Sequence, residues 1–201
     1  ETADSIARTG VALKGPLETP IGFGEKSANV TLRKLFETYA NIRPARQIPG
    51  VPTRYDGEGI DFIVVRENIE DLYAGVEYMD SRDVAIALKI ITRRGSEKII
   101  RYAFELARRE GRKKVTCATK SNILKLSEGL FQRVSEEMAP GYPESEAQHL
   151  ILAQVAHPMG KDPAPVDVVV SASLAGDGSG DRARGGVGGV GVASSGTVGD
   201  E

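Results

Sequence analysis

Hydrophobic residues along the chain fall into two patterns, continuous apolar runs and positions at helical spacing. Three runs of strand length, mostly apolar, occur at Asp61–Val65, Val115–Thr119 and Val166–Ala172. Hydrophobic positions from Ser96 to Glu110 recur at helical spacing, which predicts a helix with one buried face and Gly111 as its C-terminal stop. Strands that alternate with helices in this way are typical of an α/β protein.

Further elements are predicted outside these runs. Gly10–Gly15 is expected to form a short buried strand that ends in a turn, and Pro16–Lys26 a loop rich in glycine and proline. The Gly22-Phe-Gly24 element of this loop lacks the spacing of a dinucleotide fingerprint, so it is given no cofactor role. A second long helix is predicted from about Asn122 to Met138.

The segment from Ala74 to Thr92 changes to a period of two. Apolar and small or charged residues alternate there, with the apolar set at Val84, Ile86, Leu88 and Ile90. This pattern predicts a pair of strands with one apolar face. Such a hairpin has an exposed apolar face and an unpaired strand edge, which favours pairing with a second subunit.

Polar side chains follow each of the three apolar runs: Arg66, Glu67 and Asn68 the first, Lys120 and Asn122 the second, Asp177 and Asp181 the third. In open α/β sheets, ligands bind beyond the C-terminal ends of the strands, so these residues are site candidates. Asp177 and Asp181 are four apart, and two carboxylates with water suit Mg²⁺ or Mn²⁺. The glycine-rich stretch 178–191 nevertheless argues against a helix there and predicts a flexible linker.

The stretch from Ser27 to Pro44 combines a helix start with anion-seeking side chains. Ser27 and Asn29 are helix-capping residue types, so a helix is expected to begin near Asn29 with its N-terminus open to an anion. Arg33 lies on the same helical face as Asn29, and Arg43 follows in a turn before Pro44. The arrangement suits a ligand with several carboxylates. The alternative from these residues alone is a capped surface helix with solvated arginines.

Composition limits the classes of function. The 201 residues are 40% hydrophobic and 27% charged, as in a globular protein, and the net charge of −2 gives no field that favours nucleic acid. No apolar run approaches the roughly 20 residues of a membrane helix. The single Cys117 lies in a strand-like run and is interpreted as an inert buried thiol. We expect a reducing compartment, the cytoplasm or a mitochondrial matrix.

Four motifs together resemble those of the isocitrate and isopropylmalate dehydrogenase family. They are, in order, Ser27-Ala-Asn-Val-Thr-Leu-Arg33, Tyr39-Ala-Asn-Ile-Arg43-Pro, Val65-Arg66-Glu-Asn-Ile-Glu-Asp-Leu-Tyr73-Ala-Gly and Thr119-Lys120-Ser-Asn122-Ile-Leu-Lys. The Ser-x-Asn element resembles the isocitrate branch in particular. The resemblance runs from about Val11 to about Ile151 and then weakens.

This resemblance implies oxidative decarboxylation of isocitrate with NAD or NADP and with Mg²⁺ or Mn²⁺. It implies substrate contacts from Ser27, Asn29, Arg33, Arg43 and Arg66, with Asn122 beside the site. Tyr73 would act as an acid, Lys120 would assist from the neighbouring subunit, and Asp177 and Asp181 would bind the metal. No residue is assigned to the nucleotide.

The fold implied is α/β, isocitrate/isopropylmalate dehydrogenase-like, truncated at both ends, with a β clasp for dimerisation. Residues 1–38 would be a remnant of the large nucleotide-binding domain. Residues 39–70 and 93–187 would form the small substrate and metal domain. Residues 71–92 would be the clasp of a homodimer, and the glycine-rich residues 188–201 would lead back to the large domain.

Two departures from the family pattern leave alternatives open. Ala153 stands where the family has a third metal-binding aspartate, and small residues dominate the segment around Asp177 and Asp181. The chain is therefore expected to be a fragment, a non-catalytic relative that binds a tricarboxylate as a regulatory subunit, or a sequence with an altered tail. A dehydrogenase for 3-isopropylmalate or homoisocitrate is a further alternative, against which Ser27 and Asn29 argue because an alkyl group needs an apolar wall. A phosphate on Ser27 would repel the substrate.

Overall fold

A computed structural model of the chain describes residues 1–15, 27–53, 55, 59–189 and 193–200. The strands are β1 (Ala40–Arg46), β2 (Asp61–Glu67), β3 (Glu77–Ser81), β4 (Val84–Ala87), β5 (Lys114–Thr119), β6 (Glu146–Ile151), β7 (Val168–Ser171) and β8 (Gly196–Val198). The α-helices are α1 (Thr2–Thr9), α2 (Ala28–Leu35), α3 (Arg93–Arg109), α4 (Ser127–Met138), α5 (Leu152–Lys161) and α6 (Ser173–Gly186). Short 3₁₀ turns occur at Leu72–Ala74 and Ala139–Gly141. Among these helices, none has the length and apolar character needed to span a membrane.

A six-stranded sheet in the order β6-β5-β7-β2-β1-β8 lies at the centre of the fold. β6, β5, β7 and β2 are parallel, whereas β1 runs antiparallel to β2 and β8 antiparallel to β1. The C-terminal ends of the parallel strands therefore meet at one edge of the sheet. The polar residues that follow β2, β5 and β7 all begin at this edge.

Helices cover both faces of the sheet. Ile63 and Val65 of β2 pack in the cluster formed with α3 and α4, whereas Phe62 and Val64 pack in the cluster formed with α5 and α6. Because successive side chains of a strand point to opposite faces, Arg66 lies on the same face as Phe62 and Val64, beneath α6. The three apolar runs are thus confirmed as β2, β5 and β7.

Three further predictions are confirmed with small changes of boundary. The predicted helix from Ser96 is α3, which begins three residues earlier because the Thr92 side chain accepts a hydrogen bond from the Gly95 N–H, at 3.0 Å. The predicted strand pair is the β3–β4 hairpin, which forms a separate two-stranded sheet. The helix expected near Asn29 is α2.

The buried strand predicted at Gly10–Gly15 is wrong. Residues 11–15 have no regular secondary structure, and the side chains of Val11 and Leu13 are exposed. Gly10 instead ends α1 in the left-handed conformation, with φ of 69°. An apolar run forms a buried strand only where other elements pack against it, and no described residue covers Leu13, which is fully exposed. The loop predicted at Pro16–Lys26, with its Gly22–Gly24 element, lies outside the described residues.

The turn predicted at Tyr39–Pro44 is also wrong, because Ala40–Arg46 is strand β1. Proline cannot donate a hydrogen bond and is tolerated on strand edges. Among the described residues, β8 pairs with Ala40–Ile42 alone, so no described strand lies beside Pro44 on the side of β1 away from β2. The proline therefore fits this strand without losing a bond of the ladder.

The second long helix begins later than predicted. Residues 121–126 form turns, and α4 begins at Ser127 rather than near Asn122. Ile123 and Leu126, which lie within the predicted helix, are exposed. The N–H groups of Ile123 and Leu124 both bond to the Lys120 carbonyl, which closes a turn at the end of β5.

The flexible linker predicted for the glycine-rich stretch is contradicted by α6, which is helical from Ser173 to Gly186, and by β8, which joins the sheet beside β1. Glycine is unfavourable in a helix but permits close approach. A Cβ at Gly176 would lie 2.7 Å from Arg66 Cγ, and one at Gly180 would lie 2.3 Å from Arg43 Nη1. Packing against two arginine side chains thus explains the glycines at these two positions of the helix.

Candidate anion-binding site

A pocket of about 360 Å³ opens where α2, the ends of β1 and β2, and α6 meet. We call it the arginine pocket, and it is lined by Ser27, Asn29, Val30, Arg33, Arg43, Arg66, Tyr73 and Asp177. The sequence had singled out all of these except Val30. The structure thus brings together residues from the first and last quarters of the chain.

Two arginines of the pocket converge on one carboxylate. Arg43 Nη2 donates to Asp177 Oδ1 at 2.8 Å, and Arg66 Nη1 donates to the same oxygen. The two arginine side chains are 6% and 2% exposed, so both charges are largely removed from water. Buried charges of this kind require partners, and here two cations share one acidic residue.

Tyr73 lines the pocket and contacts both Asp177 and Arg66. Its hydroxyl donates to Asp177 Oδ2 at 2.6 Å, and the guanidinium of Arg66 lies over its ring at 4.6 Å. Burial raises the pKa of Tyr73, and the adjacent Asp177 carboxylate raises it further. Tyr73 therefore keeps its proton at neutral pH and can donate it to a nearby atom.

The pocket carries more positive than negative charge. Burial lowers the pKa of Arg33, and the positive charges of Arg66 and Arg43 lower it further. Burial alone would raise the pKa of Asp177, but the hydrogen bond from Tyr73 and the charges of Arg66 and Arg43 outweigh it, so this pKa is lowered. Three guanidinium groups around one ionised carboxylate favour the binding of a polyanion.

Asp181 lies one turn after Asp177 on α6, and its Oδ1 is 3.3 Å from Arg43 Nη1. The two aspartates therefore share a helix face, as a metal pair requires. Within the described residues, no group of three or more His, Cys, Asp and Glu side chains is arranged to hold a metal ion. Ala153, where a third aspartate was sought, is exposed on α5.

Lys120 and Asn122 do not line the arginine pocket. Both are exposed, at and just after the end of β5. The expectation that Lys120 acts in the site of a neighbouring subunit remains a prediction, with which its position outside this chain's own pocket agrees.

Several residues of the site were missed from the sequence. Asn41 Oδ1 accepts a hydrogen bond from Arg43 Nε at 2.7 Å, and Ser173 Oγ accepts one from Arg66 Nη2 at 3.3 Å. Arg184 lies on the same helix, with Nη1 3.7 Å from Asp181 Oδ1. Asn41 could have been found, because residues two apart on a strand share a face, had β1 been recognised as a strand.

The fold and the pocket define an α/β protein with an arginine-rich pocket at the C-terminal ends of its parallel strands. A sequence profile of the isocitrate/isopropylmalate dehydrogenase family matches residues 1–201, and the chain belongs to this family.

Individual relatives agree with this assignment. The chain is 59% identical to isocitrate dehydrogenase [NADP] of Thermus thermophilus, over 100% of this chain and 40% of that protein. It is 43% identical to a mitochondrial regulatory subunit of isocitrate dehydrogenase [NAD] from Dictyostelium discoideum, over 100% of this chain and 56% of that protein. A crystal structure of isocitrate dehydrogenase from Methylococcus capsulatus superposes with a TM-score of 0.91 at 43% identity, over 96% of this chain and 58% of that one. The chain thus spans about half the length of the relatives that it matches.

Proposed function

We propose that the protein containing this chain catalyses the NAD(P)-dependent oxidative decarboxylation of isocitrate to 2-oxoglutarate. The observation that supports this most strongly is the convergence of Arg33, Arg43 and Arg66 on one pocket that also contains Tyr73 and Asp177. A pocket of this charge and size suits a small tricarboxylate.

The substrate carboxylates would be held by the three arginines and by the start of α2. Arg43 and Arg66 are fixed in place by Asp177, Asn41 and Ser173, so little side-chain freedom is lost when a ligand binds. Ser27 and Asn29 at the N-terminus of α2 add polar groups, and the positive end of the helix dipole favours a carboxylate there.

Asp177 and Asp181 would hold Mg²⁺ or Mn²⁺. These ions are often bound by only one or two protein carboxylates together with substrate oxygens and water, so two aspartates one turn apart fit such an ion without a third. A divalent ion bound there would polarise the carbonyl that oxidation forms and stabilise the enolate left by decarboxylation.

Tyr73 would supply the proton after decarboxylation, because its hydroxyl faces Asp177 across the pocket and is protonated at neutral pH. Lys120 would reach the site of a second subunit, with Asn122 beside it. The homodimer would form through residues 71–92, where the β3–β4 hairpin exposes Tyr78, Met79 and Val84. The nucleotide would be NAD or NADP, and the location the cytoplasm or a mitochondrial matrix.

The test is an assay of the complete gene product for NADH and NADPH formation from isocitrate with Mg²⁺ or Mn²⁺. We expect turnover with one or both nucleotides and loss of turnover when a chelator removes the metal. Substrates with an alkyl group or a longer chain, 3-isopropylmalate and homoisocitrate, should react far more slowly. Preference for either of them, or absence of turnover with all three, contradicts the proposal.

A second candidate is a regulatory subunit that binds a tricarboxylate without reacting it. Its support is the similarity to the Dictyostelium regulatory protein, together with Ala153 in place of an expected aspartate. The Asp177 carboxylate is already paired with Arg43 and Arg66, which agrees with a role that needs no metal. Calorimetry separates the two candidates: isocitrate binding that is independent of Mg²⁺, without turnover, supports the regulatory role.

A further inference from the structure

A second buried charge cluster lies next to the arginine pocket. Lys89 Nζ contacts Asp71 Oδ1 at 3.0 Å and Glu128 Oε1 at 2.5 Å. The side chains of Lys89, Asp71 and Glu128 are 17%, 0% and 1% exposed. We call these three residues the Lys89 cluster. It contains no member of the proposed catalytic set, so its role needs a separate explanation.

Asp71 connects the cluster to the arginine pocket. Its Oδ2 accepts a hydrogen bond from the N–H of Leu174, in the first turn of α6, at 2.9 Å. Asp177 follows one turn later on the same helix. Asp71 also begins the short turn that carries Tyr73, and its Oδ1 accepts the Leu72 N–H at 2.8 Å. One carboxylate thus fixes both elements that form the Tyr73–Asp177 contact.

The backbone of Asp71 is strained. It has φ of 66° and ψ of −145°, a region that residues with a side chain rarely adopt. Such a conformation persists only when surrounding contacts determine it. The backbone N–H of Asp71 donates to the Ile90 carbonyl at 2.7 Å, next to Lys89 in the chain, and its side chain is held by Lys89 and the two N–H groups above. Lys89 therefore helps to maintain the turn that positions Tyr73.

Glu128 connects the same lysine to the Lys120 loop. Glu128 Oε2 accepts a hydrogen bond from the backbone N–H of Lys120 at 2.9 Å. Burial would lower the pKa of Lys89, but its contacts with Glu128 and Asp71 raise the pKa overall, so the ammonium stays charged. Two buried carboxylates without this ammonium would repel each other and release the amides they hold.

We infer that Lys89 is a positioning residue: by bridging Asp71 and Glu128, it holds the Tyr73 turn, the start of α6 and the Lys120 loop in one arrangement. Since Lys120 is proposed to act in the partner's site, the cluster would set the geometry of two sites together. This inference rests on the proposed function for its catalytic consequence, but the positioning itself can be measured without activity.

The experiment compares Lys89→Met with the wild type in the complete protein, by amide hydrogen exchange at single-residue resolution. We expect the amides of Leu174 and Lys120 to exchange about 10-fold faster or more in Lys89→Met, because both of their acceptors are disturbed. The amide of Val169, in the middle of the sheet, should keep its protection. Lys98→Met is the matched control, because it removes an ion pair to the exposed Asp200.

Steady-state kinetics provide the second readout. Lys89→Met should lower kcat by about 10- to 100-fold through misplacement of catalytic groups, with KM for isocitrate changed less than about threefold. Lys89→Arg keeps a positive charge between the carboxylates and should restore most of kcat. Normal exchange at both amides, or a KM effect without a kcat effect, overturns the inference.

A further variant covers the case in which Lys89→Met does not fold. Lys89→Met combined with Glu128→Gln removes one buried carboxylate and keeps an acceptor for the Lys120 N–H. We expect fast exchange at Leu174 and retained protection at Lys120, and retained protection at both amides overturns the inference. If the wild type lacks isocitrate turnover, the proposed function fails, while the exchange data still decide the role of Lys89.

Discussion

The arginine pocket and the Lys89 cluster are neighbouring sets of buried charges with opposite compositions. In the arginine pocket, Arg43 and Arg66 meet on the single carboxylate of Asp177, and a third arginine lies nearby. In the Lys89 cluster, one ammonium meets two carboxylates. The first set opens into a pocket of about 360 Å³, whereas Asp71 and Glu128 of the second are fully buried.

This difference in charge and burial distinguishes a binding site from a cluster that stabilises the fold. An anionic ligand neutralises an excess of positive charge at an open pocket, so such an excess indicates a binding site. A buried cluster whose backbone amides and carboxylates satisfy one another needs no ligand and fixes the elements around it. α6 joins the two, because Leu174 binds Asp71 and Asp177 binds the arginines. The predictions below test this distinction.

The largest effect is expected from removing a pocket arginine. Arg43→Gln should weaken isocitrate binding by about 100-fold or more, because the charge that it removes is buried and hydrogen-bonded to Asp177. Isothermal titration calorimetry measures the change. Arg46→Gln is the control on the same strand: Arg46 is 55% exposed and pairs with Asp61 and Glu110, so its loss should leave the affinity within about twofold. Equal effects of the two variants would remove the distinction between pocket and surface charges.

The next effect concerns the hydroxyl that faces Asp177. Tyr73→Phe keeps the ring beneath Arg66 and removes only the hydrogen bond, so isocitrate affinity should change little while kcat falls by about 100-fold. Tyr142→Phe removes the corresponding hydroxyl bond to Glu105, 3.1 Å long and remote from the pocket, and should leave kcat unchanged. An unchanged kcat in Tyr73→Phe would assign the proton transfer to another group.

Glu67 extends the comparison to a buried carboxylate that is held by backbone amides. Burial raises the pKa of Glu67 to about 7, despite hydrogen bonds from the N–H groups of Ile69 and Glu70. The folded state therefore binds this proton more tightly than the unfolded state, and stability falls as the pH rises from about 4.5 through about 7.

Glu67→Gln should flatten this part of the pH profile. The free energy of unfolding of the variant minus that of the wild type should increase by up to about 2 to 3 kcal/mol from pH 4.5 to pH 8. The changed hydrogen bonds of the substituted side chain add an offset that is the same at both pH values. Urea denaturation at pH 5 and pH 8 measures the difference. Glu144→Gln, at an exposed position, should shift both values equally.

The sequence predicted the sheet strands β2, β5 and β7 well, because continuous apolar runs of strand length reflect burial on both faces. It also identified most of the residues that line the arginine pocket, since polar residues after buried strands mark the ligand edge of a sheet. It did not predict that Arg43 lies on a strand, because Pro44 follows it. Proline is disfavoured in a strand unless the side of the strand that its nitrogen faces is unpaired. That edge is set by β8, more than 150 residues away.

The Lys89 cluster could not be found from sequence. Lys89 occupies a polar position in an alternating strand pattern, Asp71 lies in a turn, and Glu128 resembles any exposed acidic residue in the first turn of a helix. Their pairing depends on how the Asp71 turn, the segment after β4 and the start of α4 come together in the folded chain. Helix α6 was missed for a related reason. Glycine has a low helix propensity, so the local sequence argues against a helix that tertiary contacts stabilise.

The smallest effects are expected from two glycines of α6, and they test whether that tertiary contact sets the pocket. A Cβ at Gly180 would lie 2.3 Å from Arg43 Nη1 and 2.5 Å from Arg43 Cδ, so Gly180→Ala must displace this buried side chain. We expect isocitrate affinity to fall by about 10-fold, because Arg43 loses its alignment with Asp177. Gly178 is exposed on the same helix, and a Cβ there would meet no atom of the described residues within 4 Å. Gly178→Ala should therefore leave binding unchanged and raise the free energy of unfolding by about 0.5 to 1 kcal/mol through helix propensity alone. Calorimetry and urea denaturation of both variants measure these opposite outcomes. Equal behaviour of the two would mean that the glycines do not determine how α6 packs against the arginines.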